Sequence, residues 1–311
     1  MMNGPRLFHR YEGNPILRPE EWPYAANAVF NPGATTFQGE TLLLVRVEDH
    51  QGFSHLTCAR SPDGRTSWRI GPRPTLAPDP VRFPEEEWGL EDPRITYLEG
   101  EKRYAVVYVA FSPAGPMVSL ALTEDFHEFE RLGGVLPPED KDAALFPRKF
   151  GGRYVMIHRP IVRGEGHIWI SFSPDLRHFG DHQVLLPARG GGWWDSAKVG
   201  LGPQPIETPD GWLVLYHGVR ATAAGALYRV GLALLDGDDP RRVLHRSPEW
   251  VFGPHASYEW MGDVPGVTFP TGAVLAGKEL RIYYGAADTS VALATADLDD
   301  LLSYLRECPN R

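Results

Sequence analysis

The chain has 311 residues, 42% hydrophobic and 23% charged, with a formal net charge of −9. That is the profile of a water-soluble globular protein with ample material for a core. A negative balance with no basic run argues against nucleic acid as a partner, and no apolar stretch approaches the length a membrane-spanning helix needs.

The opening residues, MMNGPRLFHRYEGNPIL, hold no apolar secretion segment. The only cysteines, Cys58 and Cys308, lie far apart and without metal-ligand spacing. A reduced, cytoplasmic setting is therefore expected, with no metal site and no organic cofactor.

Along the chain, a strand-like run opened by glycine or a charged turn occurs five times. The runs are GETLLLVRVED from Gly39, GEKRYAVVYVAF from Gly100, GGRYVMIHRP from Gly151, DGWLVLYHGV from Asp210 and GKELRIYYGAADT from Gly277. Each is rich in β-branched and aromatic residues, and each is followed by a second apolar run ending in an acidic turn. The repeat is roughly 60 residues long, so five units nearly exhaust the chain. Such a series predicts an all-β fold, a single five-bladed β-propeller spanning 1–311, with an irregular β-sandwich as the alternative. One helix is expected, in LDDLLSYLREC, where Leu301, Leu302 and Leu305 fall at helical spacing.

Aligned on their openings, the five runs bring Arg46, Tyr108, Arg159, His217 and Tyr284 to within one position of each other. Equivalent positions in a propeller lie at equal depth, so these polar residues are expected to share a central funnel. Arg46, Arg159 and His217, with Lys198 of DSAKVG, would form a cationic cluster suited to an anion such as phosphate. The acids expected nearby are Asp92 of GLEDPRIT, Glu259 of SYEWMGD and Asp288 of YYGAADTSV. Aromatic residues between the strands, among them Trp22, Tyr24, Phe30, Trp88, Trp193, Trp194, Tyr258 and Trp260, could supply the ring faces of a sugar site. Glu91 and Asp92 stand side by side before Pro93, and the segment reads as a rigid turn ahead of a strand.

The motifs VFNPGA, LLVRVED, GLEDPRI, KDAALFP, MIHRP, DSAKVG, GWLVLYHG, YEWMGDVPGVTFPTG and IYYGAADT, in this order from Asn14 to Leu302, resemble glycoside hydrolase family 130. Those enzymes are mannoside phosphorylases and mannosidases built as five-bladed propellers. The resemblance implies that Asp92 is the general acid, acting through a hydroxyl of the mannose ring. It assigns phosphate to Arg46, Lys141, Arg159, Lys198 and His217, and sugar to Asn31 and Asp288. Glu91, Tyr108, Tyr258, Glu259 and Tyr284 complete the expected substrate-binding set. Gly266 stands where the family pattern expects asparagine.

An inverting glycosidase needs one acid and one base, whereas phosphate is already a nucleophile and needs a cationic cradle instead. The implied reaction is therefore phosphorolysis of a β-mannoside, β-1,4-linked oligosaccharides first and β-1,2-mannobiose second, with inorganic phosphate as co-substrate. A β-mannosidase and a non-catalytic sugar-binding propeller remain alternatives. Self-association is left open.

Overall fold

A computed structural model describes residues 6–162, 165–223 and 225–309. Four strands make each of five antiparallel blades. Strand β1 (His9–Arg10) precedes blade 1, which comprises β2 (Ala28–Phe37), β3 (Glu40–Glu48), β4 (Ser54–Ser61) and β5 (Arg69–Ile70). Blade 2 comprises β6 (Gly89–Leu98), β7 (Arg103–Ser112), β8 (Gly115–Thr123) and β9 (Glu130–Gly134). Blade 3 is built from β10 (Asp140–Leu145), β11 (Tyr154–Val162), β13 (Ile168–Ser173) and β14 (Gly180–Leu186), with the short β12 (Glu165–Gly166) beside β11. Blade 4 holds β15 (Lys198–Leu201), β17 (Gly211–Thr222), β18 (Gly225–Leu235) and β19 (Val243–Arg246), with β16 (Ile206–Thr208) on β17. Blade 5 takes β20 (Thr268–Ala276), β21 (Glu279–Ala286) and β22 (Ser290–Asp297) from the C-terminal part of the chain, and β1 completes it by pairing His9 with Thr295. The two ends of the chain thereby tie the ring shut.

The five-bladed propeller expected from the repeats is what forms, and its core explains why. Strand side chains alternate between two faces. In β3, Leu42 and Leu44 point toward blade 2, while Leu43, Val45 and Val47 point toward blade 5. The same alternation in every blade yields five apolar clusters, one at each blade–blade junction, including that between blades 5 and 1. Each large aliphatic side chain buried there contributes about 1.5–3 kcal/mol, so the ring is held by its junctions and not by one central core. The expected helix is α1 (Leu298–Glu307), capped by Asp297 and packed through Leu298, Leu301, Leu302 and Leu305 on the junction of blades 4 and 5. It is too short to cross a membrane, and no other described helix is long and apolar enough.

One expectation about local structure changes. GLEDPRIT is not a turn ahead of a strand but the innermost strand of blade 2 itself, interrupted by a bulge between Glu91 and Arg94. The inner strands of blades 1 and 3 bulge at the matching places, between Phe30 and Gly33 and between Lys141 and Ala144. Asn31, Asp92 and Asp142 occupy the same bulge position with φ of 44°, 49° and 54°. Asparagine and aspartate tolerate this left-handed conformation better than other residues with a side chain. Proline next in line, Pro32 or Pro93, loses no ladder hydrogen bond where the ladder is already broken. The bulges also bring the inner strands close: a Cβ on Gly33 would lie 2.8 Å from the carbonyl oxygen of Pro93.

Candidate active site

Where the inner strands begin and the second strands end, all five blades contribute to one cavity. Its walls are Asn31 and Arg46 from blade 1, Glu91 and Asp92 from blade 2, and Lys141, Asp142 and Arg159 from blade 3. Blade 4 adds Lys198, His217 and Tyr228, and Val264, Val267, Phe269 and Asp288 close the side toward blade 5. The cavity holds about 200 Å³; a larger cleft of about 430 Å³ beside Phe8, Arg10 and Trp250 has no converging acids and bases. There Arg10 is already committed to Glu259 and to the carbonyl of Gly253.

The bulge aims the Asp92 carboxyl at the cavity, where its Oδ1 accepts hydrogen bonds from Asn31 Nδ2 at 2.9 Å and Arg46 Nη1 at 3.1 Å. Arg46 is itself held on every side: Nη2 reaches Glu91 at 3.0 Å, Nε reaches Ser54 Oγ at 2.9 Å, and the guanidinium lies over the Phe30 ring. The wholly buried Arg94 donates to the backbone carbonyls of Asp92, Leu201 and Gly202. Burial opposes ionisation of Asp92, but Arg46, then Arg94 and Lys141, outweigh it and hold its carboxyl below the ordinary carboxylate value. Pairing, and not repulsion from Glu91, therefore governs the charge of Asp92.

On the opposite wall, Asp142 Oδ2 accepts from Arg159 Nε at 2.6 Å, with His217 Nε2 and Arg94 each 3.6 Å from its oxygens. Burial again opposes ionisation, and Arg159, His217, Arg94 and Lys141 overcome it, so Asp142 stays charged far below the usual range. His217 behaves oppositely. Burial, reinforced by Arg159, Lys198 and Arg94 against the pull of Asp142, drives its pKa down to about 3. His217 is thus a neutral imidazole near pH 7, with a buried and unpartnered Nδ1, and adds no charge to the cationic cluster. A Cβ on Gly200 would collide with both Asp142 and His217, which explains the glycine in AKVG.

The cations left over face the cavity. The ammonium groups of Lys141 and Lys198 make no hydrogen bond or ion pair among the described residues, although that of Lys198 sits 5.5 Å from the Tyr228 ring centre. The terminal nitrogens of Arg159 are likewise unbonded, its Nε alone being engaged. Asp288 stands apart from the other acids. Its Oδ1 is buried without a partner, and burial, with Asp92 adding repulsion and Arg46 only partly offsetting it, raises its pKa to about 7.

A family model described as β-1,4-mannooligosaccharide phosphorylase matches residues 8–307. The chain belongs to glycoside hydrolase family 130. Over 309 residues it is 35% identical to a β-1,4-mannooligosaccharide phosphorylase of Ruminococcus albus, covering 96% of this chain and 90% of that one. It is equally 35% identical to a β-1,2-mannobiose phosphorylase of Listeria innocua, covering 96% and 98%. The solved structure of a β-1,2-mannobiose phosphorylase from Listeria innocua, in complex with β-1,2-mannobiose, superposes with a TM-score of 0.87 at 34% identity, over 96% of this chain and 99% of that one.

Nine of the thirteen expected site residues meet in this family 130 cavity: Asn31, Arg46, Glu91, Asp92, Lys141, Arg159, Lys198, His217 and Asp288. Four do not. Tyr108 is one residue out of register: Val109, not Tyr108, pairs with Glu91 as Arg46 pairs with Phe30 and Arg159 with Lys141. A shift of one reverses the face of a strand, so Tyr108 points into the junction of blades 1 and 2 and bonds Glu86. Tyr284 turns into the junction of blades 4 and 5, where it donates to Glu259 at 2.8 Å. Glu259 also receives Arg10, and Tyr258 is bonded by Asn14, so these groups anchor the N-terminal segment that closes the ring. None of the eight aromatics expected between the strands lines the cavity, and Phe30 lies within β2 itself, under the Arg46 guanidinium; the cavity's aromatic side chains besides His217 are Tyr228 and Phe269. Sequence reasoning also passed over Asp142, although Lys141-Asp142-Ala143 repeats the pattern of Glu91-Asp92-Pro93 and Phe30-Asn31-Pro32. Aligning the inner strands as well as the second strands would have found it.

Proposed function

We propose that the protein is an inverting β-mannoside phosphorylase, cleaving its substrate with inorganic phosphate to release α-mannose 1-phosphate. The observation that carries this reading is the set of unpaired donors, Lys141, Lys198 and the terminal nitrogens of Arg159, lining the same cavity as the buried carboxyl of Asp92. A dianion completes such a cradle, and its oxygens match charge-assisted donors held in fixed positions. Neutral His217 offers a further hydrogen bond at no cost in charge. With phosphate on one side of the anomeric carbon and Asp92 on the other, attack and leaving-group protonation come from opposite faces.

Hydrolysis would require a free carboxylate to activate water. Glu91 is bound to Arg46 and Asp142 to Arg159, so these two carboxylates are already engaged with cations, which favours phosphate over an activated water as the nucleophile. The names of the relatives divide between β-1,4 and β-1,2 linkages at the same identity. We take β-1,4-mannooligosaccharides as the first substrate and β-1,2-mannobiose as the second.

Product analysis on each disaccharide, with and without phosphate, tests both points. Mannose 1-phosphate formed only when phosphate is present supports the reading and identifies the linkage. Free mannose at equal rates in both buffers would replace it with a mannosidase.

A further inference from the structure

Four carboxyls line the cavity, and three are matched to a cation: Glu91 and Asp92 to Arg46, Asp142 to Arg159. Asp288 has no such partner among the described residues, and its Oδ1 is shut off from solvent without a hydrogen bond. Its backbone is held firmly. Ala287 and Asp288 are both left-handed, at φ 49° and 50°, and the turn is pinned by Ala287 N–H to the Val267 carbonyl at 3.0 Å and by Val29 N–H to the Thr289 carbonyl at 3.1 Å. The charged groups that face it are Asp92 from β6, Arg46 and Glu48 from β3, and Asp263 from the connection before β20. Three acids and one already committed arginine make a poor setting for another anion, and Val264, Val267 and Phe269 provide the apolar wall beside it.

We propose that Asp288 is the proton store of the reaction, keeping on its carboxyl, in the resting cavity, the proton that Asp92 delivers to the leaving sugar. Two acids whose surroundings favour opposite protonation states divide the labour of acid–base chemistry in this way. Asp92 rests ionised against Arg46 and cannot donate until it gains a proton. Phosphate arriving on Lys141, Lys198 and Arg159 cancels part of the positive field on Asp92 and raises its affinity for one.

The O–H bond of Asp288 then breaks as one forms on Asp92, across the hydroxyls of the bound sugar. The Asp92 O–H bond breaks in turn as the glycosidic oxygen is protonated. The bond from C1 to that oxygen breaks with its electron pair remaining on oxygen, and a lone pair of hydrogen phosphate forms the new C1–O bond. The hydrogen carried in by the phosphate is surplus once the ester is a dianion, and it returns to Asp288. No net proton is consumed.

The proposal rests on the phosphorylase reading for its chemistry, and Asp288→Asn isolates it. Asparagine imitates the neutral acid in shape and hydrogen bonding but has no proton to give. Phosphorolysis would be followed from about pH 5.5 to 9 on mannobiose and on 2,4-dinitrophenyl β-mannoside, whose leaving group needs no proton. Wild-type kcat/KM on mannobiose is expected to fall as pH rises through about 7. The variant should lose about 10²- to 10⁴-fold on mannobiose, the usual contribution of a positioned acid, and less than about tenfold on the activated substrate. Its alkaline limb near pH 7 should vanish. Equal losses on both substrates with the limb retained would make Asp288 a sugar ligand and overturn the proposal.

A measurement on the wild-type protein covers a variant that does not fold. Infrared difference spectra between about pH 6 and pH 9 should show one protonated carboxyl band disappearing, and its absence at the lower pH would also overturn the proposal. If no mannose 1-phosphate forms at all, the phosphorylase reading fails by itself, while the infrared titration still reports on Asp288.

Discussion

The inner strands of blades 2 and 3 carry the same bulge and put it to different use. Each turns a left-handed aspartate toward the cavity, Asp92 in one and Asp142 in the other. Asp92 meets an amide and an arginine and stays 7% exposed; Asp142 meets Arg159, His217 and Arg94 and is 1% exposed. A carboxyl with one open side can exchange a proton with whatever binds there. One enclosed by guanidinium groups acts as their counter-ion and fixes where they point. The propeller repeats the position, and the residues facing it decide the chemistry.

Asp92→Asn is expected to break this comparison most severely. Loss of the acid should lower kcat on mannosides by about 10²- to 10⁴-fold. The thermal midpoint should fall less than for Asp142→Asn, because Arg46 keeps Glu91 and Glu48 as partners. A loss under tenfold in a folded variant would reduce Asp92 to a structural counterpart of Asp142.

Asp142→Asn should act through stability and phosphate. It leaves Arg159 and Arg94 buried without their anion, which costs about 3 kcal/mol in denaturant unfolding, and it raises KM for phosphate. The pH dependence has a definite sign. The folded-state pKa of Asp142 lies far below its ordinary value of 3.8, so its contribution is complete above about pH 4 and is lost on acidification. The stability gap between wild type and variant should therefore narrow as pH falls; a gap of constant size would show that charge is not what Asp142 supplies.

Lys141→Met and Lys198→Met sharpen the comparison from the phosphate side. Each removes one charge-assisted donor, worth about a tenfold rise in KM for phosphate, with a smaller change in kcat. Equal changes in KM for the sugar would place both lysines in the wrong half of the site.

The smallest effect on stability concerns the third aspartate of the cavity. The pKa of Asp288 is raised in the folded protein, to about 7 from 3.8, so the stability tied to its proton is complete below about pH 4 and is lost as pH rises toward 7. Asp288→Asn should remove that loss and raise the thermal midpoint by a few degrees at neutral pH. A lowered midpoint would mean that the buried carboxyl makes a favourable contact in its ionised form.

Much of the site was legible because a propeller turns sequence repeats into spatial equivalence. Arg46, Arg159 and His217, more than 50 residues apart in each step along the chain, could be placed around one axis from their offsets alone. The same procedure misplaced Tyr108, since an alignment good to one residue cannot tell which face of a strand a side chain takes. The interstrand tryptophans misled for a different reason. Trp22 fills the junction of blades 1 and 5, and Trp194 stacks on Tyr216, so ring area that suits a sugar was spent on blade packing.

By itself the sequence determined the architecture and the chemical inventory of this family 130 enzyme. The alternation of apolar residues, repeated five times, allows few arrangements other than blades joined side by side. It did not determine the charge on any member of the site. Asp92, Asp142 and Asp288 are the same residue, and they differ only in what burial and neighbouring charge do to each of them. Those neighbours come from strands of different blades, brought within a few ångströms by ring closure, so only the tertiary structure could distinguish the carboxyl held ionised beside Arg46, the one enclosed by guanidinium groups and the one whose pKa is raised.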